Sequence, residues 1–350
     1  MRVVRRSLHI VSVVFFATVI AVYGWGLIVT SGPLPDHCRN STANVARIRT
    51  PESGPWHFAV LGDPEDGLDL FERCLDRMKR NPPAFVVILG DVIHYAQPWS
   101  YQYFLHRFRG AGFDIPVFPA VGNHDITWWR LTRRGQYEYY WRYFGSENFA
   151  FVHRNSLFVL LDNANGSISK ETRRWLEEVL ESRHRTVDHI FLFAHCPVVR
   201  YTEEGTVDQP PGPVEDSAMY ELCRAYPIRY FCAAHLHSYR RAVLESGTIH
   251  LVSGAGGADH DGVDAFDHYV EMEIDGPRVT DRVVKVEPLG FVRRAKQDTQ
   301  KVLLRDTFLR LRCERQWEFA LLAISVLWLL TLRLRAMQRK REVTPPRGNS

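Results

Sequence analysis

Cysteine is scarce in this chain of 350 residues: there are six, and no two form a Cys-x-x-Cys pair. That absence removes a zinc knuckle and any evident disulfide framework. Glycine (23) and proline (19) are too few for a collagen-like chain, and no internal repeat is apparent. Charge of one sign is not in large excess either: 44 Lys and Arg against 40 Asp and Glu give +4. In bulk that is a faint pull towards an anionic partner. With 45% apolar and 24% charged residues the composition excludes disorder, and long apolar runs occur only near the ends, which excludes a polytopic membrane protein.

At the N-terminus, Arg2, Arg5 and Arg6 precede residues 8–30, a stretch of 23 residues without an acid, Lys or Arg. As a helix it would run about 34 Å, enough to cross a bilayer. A cleaved signal peptide would have an apolar region of roughly 7–15 residues and a small-x-small site. The run here is longer and lacks such a site, so the sequence reads as an uncleaved signal anchor with a cytoplasmic N-terminus. Residues 317–334 form a second apolar segment, although its uninterrupted core, 319–332, is only 14 residues long. Glu318 and Arg333 at its ends, Trp317 as an interface anchor and a basic tail favour a second crossing. Both termini are then expected in the cytoplasm and the middle outside it.

Between these ends, short β-rich runs alternate with helical patterns. The expected organisation is a basic start and anchor (1–30), a linker (31–55), an α/β domain (56–290), a basic juxtamembrane segment (291–316), the second apolar helix (317–334) and a basic tail (335–350). Strands are expected at 56–62, 84–91, 116–125, 189–197, 228–238, 248–257 and 268–275, with a hairpin over 148–163 turning at 153–156. Residues 67–80 fit a helix with Leu68, Phe71, Leu75 and Met78 on one face; residues 169–183 fit another, capped by Ser169. The Pro- and Gly-rich stretch 201–216 reads as a surface loop over the site.

Most of these runs end in residues that can hold a metal. They supply Asp63, Asp91, Asn123-His124-Asp125, His195, and His235 with His237. A lone Gly-Asp or His after a strand is more often a turn or a satisfied polar residue. Five independent strand ends with this chemistry are much harder to dismiss, because loops at strand carboxyl ends converge on one site.

The order Asp…Gly-Asp…Gly-Asn-His-Asp…His…His-x-His resembles the calcineurin-like metallophosphoesterase superfamily over residues 56–257. The resemblance implies an α/β (α+β) fold, a two-sheet β-sandwich flanked by helices, with two metal ions at the strand ends. It implies that Asp91 bridges both ions, that Asp63 and His237 serve the first, and that Asn123, His195 and His235 serve the second. Mixed oxygen and imidazole ligands suit Mn, Fe or Zn. The implied reaction is hydrolysis of a phosphomonoester or phosphodiester by a metal-bridging hydroxide. His124 would act beside the leaving group, with Asp125 orienting its ring.

The chain departs from this pattern at its first block. It reads Asp63-Pro64-Glu65 where Asp-x-His is usual. The missing imidazole can be replaced by His94, three residues after Asp91, by Glu65, or by neither; His94 is the preferred of the three. Asp162 is a weaker candidate that can equally cap a turn. Cys196 is a poor nucleophile without an acid–base partner. Cys223 and Cys232 can pair only if their geometry allows. The aromatic segment 126–144 reads as helix packing in the first instance, and otherwise as a lid or, through Arg130, Arg133 and Arg134, as a lipid contact.

Two functions compete: a membrane-anchored phosphoesterase acting on a substrate that is itself membrane-associated, and a non-catalytic scaffold with a degenerate site. A nucleic-acid partner is not expected, since arginines cluster at the ends and no stacking motif appears; no obligate protein partner is evident. The net charge supports this. Residues 1–6 hold three arginines and residues 305–350 ten basic against four acidic residues, which leaves −5 for residues 7–304. The basic surplus is a topology signal.

Overall fold

The computed structural model describes residues 2–201, 217–260, 266–313 and 316–343. They fall into two compact units, residues 33–298 and residues 1–32 with 299–350.

The larger unit contains two sheets. Strands β1 (Trp56–Leu61), β2 (Val86–Ile88) and β3 (Val117–Pro119) are parallel. In the second sheet β4 (Phe149–His153) and β5 (Ser156–Leu160) form the expected hairpin, and β5 continues in parallel through β6 (His189–Phe193), β7 (Tyr230–Ala233) and β9 (Ile249–Ser253). The antiparallel strand β8 (Tyr239–Val243) closes that sheet, and β10 (His268–Asp275) with β11 (Arg278–Lys285) closes the first. The sheet orders are β11-β10-β1-β2-β3 and β4-β5-β6-β7-β9-β8.

Phenylalanine dominates the layer between the sheets. Phe58 stacks on Phe85 at 5.0 Å and Phe158 on Phe191 at 5.1 Å, all four fully buried. Because the parallel strands are covered on both faces, they read as unbroken apolar runs. The helices of this unit are α2 (Thr42–Val45), α3 (Leu68–Met78), α4 (Pro98–Gly110), α5 (Arg133–Phe144), α6 (Lys170–Arg183), α7 (Ser217–Ala225) and α8 (Phe291–Gln300); α1 (Arg2–Ser31) precedes them. Leu68, Phe71, Leu75 and Met78 of α3 are all buried, as their spacing predicts. At the start of α6, Ser169 accepts a hydrogen bond from Thr172 N at 3.0 Å, which satisfies one of the orphan amides of the first turn. Leu176 and Leu180 turn inward against the outer face of the second sheet.

Within the expected linker, residues 38–44 pack along β3: Asn40 Nδ2 donates to Pro119 O at 2.7 Å and Asn44 Nδ2 to Val117 O at 2.9 Å. Cys223 and Cys232 are both free thiols. They cannot pair because Cys232 faces the layer between the sheets, whereas Cys223 packs on the opposite face of the second sheet.

In the smaller unit α1 packs on α10 (Gln316–Val343), which follows α9 (Arg310–Cys313); Phe16 and Trp328 meet at 5.9 Å. Among the described residues α1 alone is long and apolar enough to cross a membrane, by length and composition. Large apolar side chains stand exposed on both helices, among them Val11, Phe15, Ile28 and Leu327.

Candidate metal centre

Every candidate ligand follows a strand. Asp63 and Glu65 follow β1, Asp91 follows β2, and Asn123–Asp125 form a single 3-10 turn after β3. His195 follows β6, and His235 and His237 follow β7. The backbone there is strained. Among the described residues five non-glycines have positive φ, and four of them are Asp63 (54°), Glu65 (37°), Asp91 (47°) and His235 (67°). Such conformations cost of order 1–3 kcal/mol each and persist only where the surroundings over-determine them. Glycines let the loops close on the carboxylates: a Cβ at Gly122 would lie 2.2 Å from Asp91 Oδ1, and one at Gly254 2.6 Å from Asp63 Oδ2.

The ring nitrogens are ordered by their partners. His195 Nδ1 faces Leu89 O at 3.0 Å; a carbonyl only accepts, so Nδ1 carries the proton. Its Nε2 then points inward, 3.2 Å from Asp91 Oδ2, 2.8 Å from Asn123 Oδ1 and 3.1 Å from His235 Nδ1. His237 repeats the arrangement: Nδ1 donates to Asp259 O at 2.7 Å, and Nε2 lies 4.0 Å from Asp63 Oδ1 and 3.8 Å from Glu65 Oε1. Backbone acceptors outside the cluster thus fix the tautomer that presents Nε2 as a ligand.

Among the described residues four groups of donors have ligand atoms within 4.8 Å of one another: Asp63-Asp91-His195, Asp63-Glu65-His237, Glu65-His94-His124 and His195-Cys196-His235. Asp63 belongs to the first two, and its Oδ1 is buried with no hydrogen-bond partner. An orphaned carboxylate oxygen is expensive to bury unless a cation meets it, so the donor set fits a metal. The electrostatics agree. Burial drives the Asp63 carboxyl well above its usual range, with the charges of Asp91 and Glu65 adding to it against the pull of His195. For Asp91 burial also acts upward, but the charge and hydrogen bond of His195 outweigh it and hold the group low. His195 is held well above its ordinary value, because Asp91 overcomes the opposing effect of burial. Burial, helped by the charge of His195, holds His235 below its usual value. A cation would replace the proton that Asp91 and His195 share.

Glu65 and His94 are both near the centre, in different ways. Glu65 joins Asp63 and His237. His94 joins Glu65 and His124, and among the described residues it belongs to no group with Asp63 or Asp91. Asp125 corrects the expectation placed on it. Its carboxylate accepts from Gly122 N at 2.9 Å and Ile93 N at 3.3 Å, while the His124 ring donates from Nδ1 to the His94 carbonyl at 2.8 Å. Asp125 braces the two loops because the tight 3-10 turn folds its carboxylate back on the backbone. Burial raises its carboxyl well above the usual range.

Three contributors were missed in the sequence. Asn163 Oδ1 accepts from His195 N at 3.0 Å and Cys196 N at 2.9 Å, clamping the end of β6. The Tyr101 hydroxyl donates to Asp125 O. Trp128 Nε1 donates to Asn123 O at 2.7 Å, and Trp128, Trp129 and Leu131 are exposed beside it. Asn163 carried a signal, its place at the end of an apolar run, and Trp128 another, its place in the aromatic segment 126–144.

The remaining candidates have structural explanations. Cys196 is buried, and burial pushes its thiol up, away from the nucleophilic thiolate. Asp162 accepts from Arg133 Nη2 and Tyr137 Oη, both at 2.8 Å, and so anchors α5. Tyr137, Tyr140 and Tyr143 of that helix are buried, which is the packing expected of segment 126–144. Arg130 is paired with Glu138, and Arg133 with Glu147 and Asp162. A cavity of about 260 Å³ opens beside His235, lined by Gly166, Cys196, Pro197, Val199, Arg200, Tyr201 and Leu236. Of the loop expected at 201–216, all but Tyr201 lies outside the described residues.

A search of curated proteins finds no match. Among solved structures, a purple acid phosphatase from yellow lupin (Lupinus luteus) seeds aligns with a TM-score of 0.52 and 17% identity, over 67% of this chain and 52% of that one. This chain therefore spans about half the length of the lupin protein. A dimetal phosphatase from Danio rerio gives 0.46 and 15%, over 66% and 99% of the two chains. A putative 5'-nucleotidase from Staphylococcus aureus gives 0.48 and 14%, over 71% and 58%. At such identities the lupin likeness speaks for the fold alone. A family model described as calcineurin-like phosphoesterase matches residues 57–239, just over half of the chain and the whole span from β1 to the start of β8. The chain belongs to the calcineurin-like phosphoesterase family.

Proposed function

We propose that this protein is a membrane-anchored, two-metal phosphoesterase that hydrolyses a phosphomonoester or phosphodiester. The observation that carries the reading is the buried Oδ1 of Asp63, which has no hydrogen-bond partner and is surrounded by the converging donors of four strand ends. On this reading Asp63, Glu65 and His237 hold the first ion, Asn123, His195 and His235 the second, and Asp91 bridges them. A bound pair of Mn, Fe or Zn ions supplies charge that polarises the phosphoryl oxygens and lowers the pKa of water.

The chain's own residues do the rest. The backbone partners of His195 and His237 keep each Nε2 aimed at the centre before any ion arrives. His124 Nδ1 is committed to a carbonyl, so Nε2 is the atom that would pass a proton to the leaving oxygen, the ring going from imidazolium to the neutral Nδ1–H form. The cavity beside His235 offers room for the substrate's organic part.

Anchoring rests on α1 and its arginines. The positive-inside rule puts Arg2, Arg5 and Arg6 in the cytoplasm and the larger unit outside it. The exposed apolar side chains of α10 support a second crossing, and both termini then lie in the cytoplasm. A phosphate ester carried by a lipid or displayed at the membrane suits an enzyme tethered there.

The test uses the full chain in detergent, with bound metal counted and generic mono- and diesters offered with Mn, Fe or Zn. Two ions per chain and hydrolysis abolished by Asp91→Ala are expected. Fewer than one ion and no turnover with any metal would overturn the reading in favour of a scaffold.

A further inference from the structure

The two oxygens of Glu65 face different partners. Oε1 looks into the site, 3.8 Å from His237 Nε2 and 3.9 Å from His124 Nε2. Oε2 meets His94 Nδ1 at 3.0 Å. A carboxylate only accepts, so this nitrogen carries a proton and donates it. Glu65 has three side-chain torsions and sits at a φ of 37°, a region that favours neither Glu nor a fixed rotamer. Something outside the ligand must hold it. His94 also reaches His124 twice: the rings lie nearly parallel, 4.8 Å apart at 19°, and the His94 carbonyl accepts from His124 Nδ1 at 2.8 Å.

We propose that His94 is a positioning residue that aims two others. Its imidazole N–H points Glu65 at the metal centre, while its ring face and carbonyl set His124 with Nε2 towards the leaving group. The proposal rests on the reading of Glu65 as a ligand of the first ion and extends it. The departure at Glu65 is then one half of a matched pair. A carboxylate replaces an imidazole in the site, and an imidazole behind it supplies the hydrogen bond that a flexible carboxylate needs. Direct coordination through Nδ1 would require His94 to give up Glu65.

The ring and the carbonyl can be separated by substitution, because every variant keeps the carbonyl. His94→Phe keeps a flat ring against His124 and loses the donor. His94→Asn places an amide N–H close to the position of Nδ1. The full chain in detergent is stripped of metal and titrated with Mn²⁺ or Zn²⁺, and ions per chain and their dissociation constants are read. Unfolding midpoints of the stripped proteins check that the variants are folded.

Wild type is expected to bind two ions. His94→Phe should still reach two at saturation, with one of them weakened about 10- to 100-fold, the usual effect of losing a hydrogen bond behind a ligand. His94→Asn should restore most of that affinity, which a purely structural role for the ring would not predict. Glu65→Ala should lose one ion outright, and adding His94→Phe to it should cost no further metal affinity. Several outcomes overturn the proposal. Saturation of His94→Phe at one ion would make His94 a ligand. Unchanged affinity in His94→Phe would remove its role, as would an Asn variant no better than Phe. A third wild-type ion lost in His94→Phe would mean that Glu65, His94 and His124 form a metal site of their own. A wild-type chain that binds no pair of ions fails earlier and sinks the two-metal reading itself.

Discussion

His124 lies at the rim of the cluster with Nδ1 committed to the His94 carbonyl, so its chemistry belongs to Nε2. A general acid matters in proportion to the basicity of the oxygen it protonates. His124→Ala should therefore slow hydrolysis of an alkyl phosphate ester by about 10²–10⁴-fold, within the usual range for such groups. A nitrophenyl ester, whose oxyanion departs unprotonated, should lose far less. Equal losses with both leaving groups, measured as kcat/KM on the same preparations, would leave His124 with a role in charge stabilisation or folding instead. At this scale the sequence revealed residue types and hid orientations. Asp63, Asp91, His195 and His237 stood out as candidates because each follows an apolar strand. The direction of Asp125 was not, because its partners Gly122 N and Ile93 N come together only when two loops cross. Glu65 and His94 stood as alternatives for the same reason, since their separation from Asp63 is a matter of space and not of spacing along the chain.

Among the elements, the interior strands announced themselves, and two of the four edge strands did not. Strands β8 and β11 were missed. Both lie at sheet edges and carry charge, Arg240 and Arg241 in one and Arg278, Asp281, Arg282 and Lys285 in the other. Edge strands use such charges to discourage further pairing, which erases the apolar signature. An interior strand holds the clearest pH-dependent element. His250 of β9 is fully buried and uses both nitrogens: Nε2 accepts from Val198 N at 3.1 Å and Nδ1 meets the Tyr201 hydroxyl. Protonation would set an N–H against the Val198 amide, and burial lowers the pKa to about 3. A histidine with a depressed native pKa gives its full contribution to stability above about pH 6.5 and loses it as the unfolded chain takes up protons below that. Between pH 7 and pH 5 this one group should cost the fold about 2 kcal/mol. Denaturant melts of metal-stripped wild type and His250→Gln at the two pH values check it. The variant should be weaker at pH 7 and should show a smaller loss on acidification; parallel losses would place the acid sensitivity elsewhere, with His268, lowered to about 4 by burial, the next group to substitute.

For the molecule as a whole, the division of charge matters more than its sum. The net +4 conceals −5 over residues 7–304, where carboxylates build the site, and a basic surplus at both ends. A polyanion would be repelled by the greater part of the chain, whereas a bilayer with anionic headgroups would meet the basic ends. In α1 the described apolar side chains are largely uncovered by protein, with only 11% of the membrane-length window buried. Exposed Ile, Val and Phe on that scale are costly in water and favourable in lipid. A cleaved signal sequence has the same composition, so the discriminating property is retention. The full chain expressed in a bacterium should stay in the pellet when membranes are washed with alkaline carbonate, which strips peripheral proteins, and its mature N-terminus should lie at or before Arg2. On the proposed topology, with the arginines in the cytoplasm, protease added outside intact spheroplasts should reach the larger unit. A mature N-terminus beyond Ser31 and release into the supernatant would instead make α1 a signal sequence. The proposed phosphoesterase site would survive that result, since its candidate ligands all lie between Asp63 and His237, but the case for a membrane-borne substrate would not.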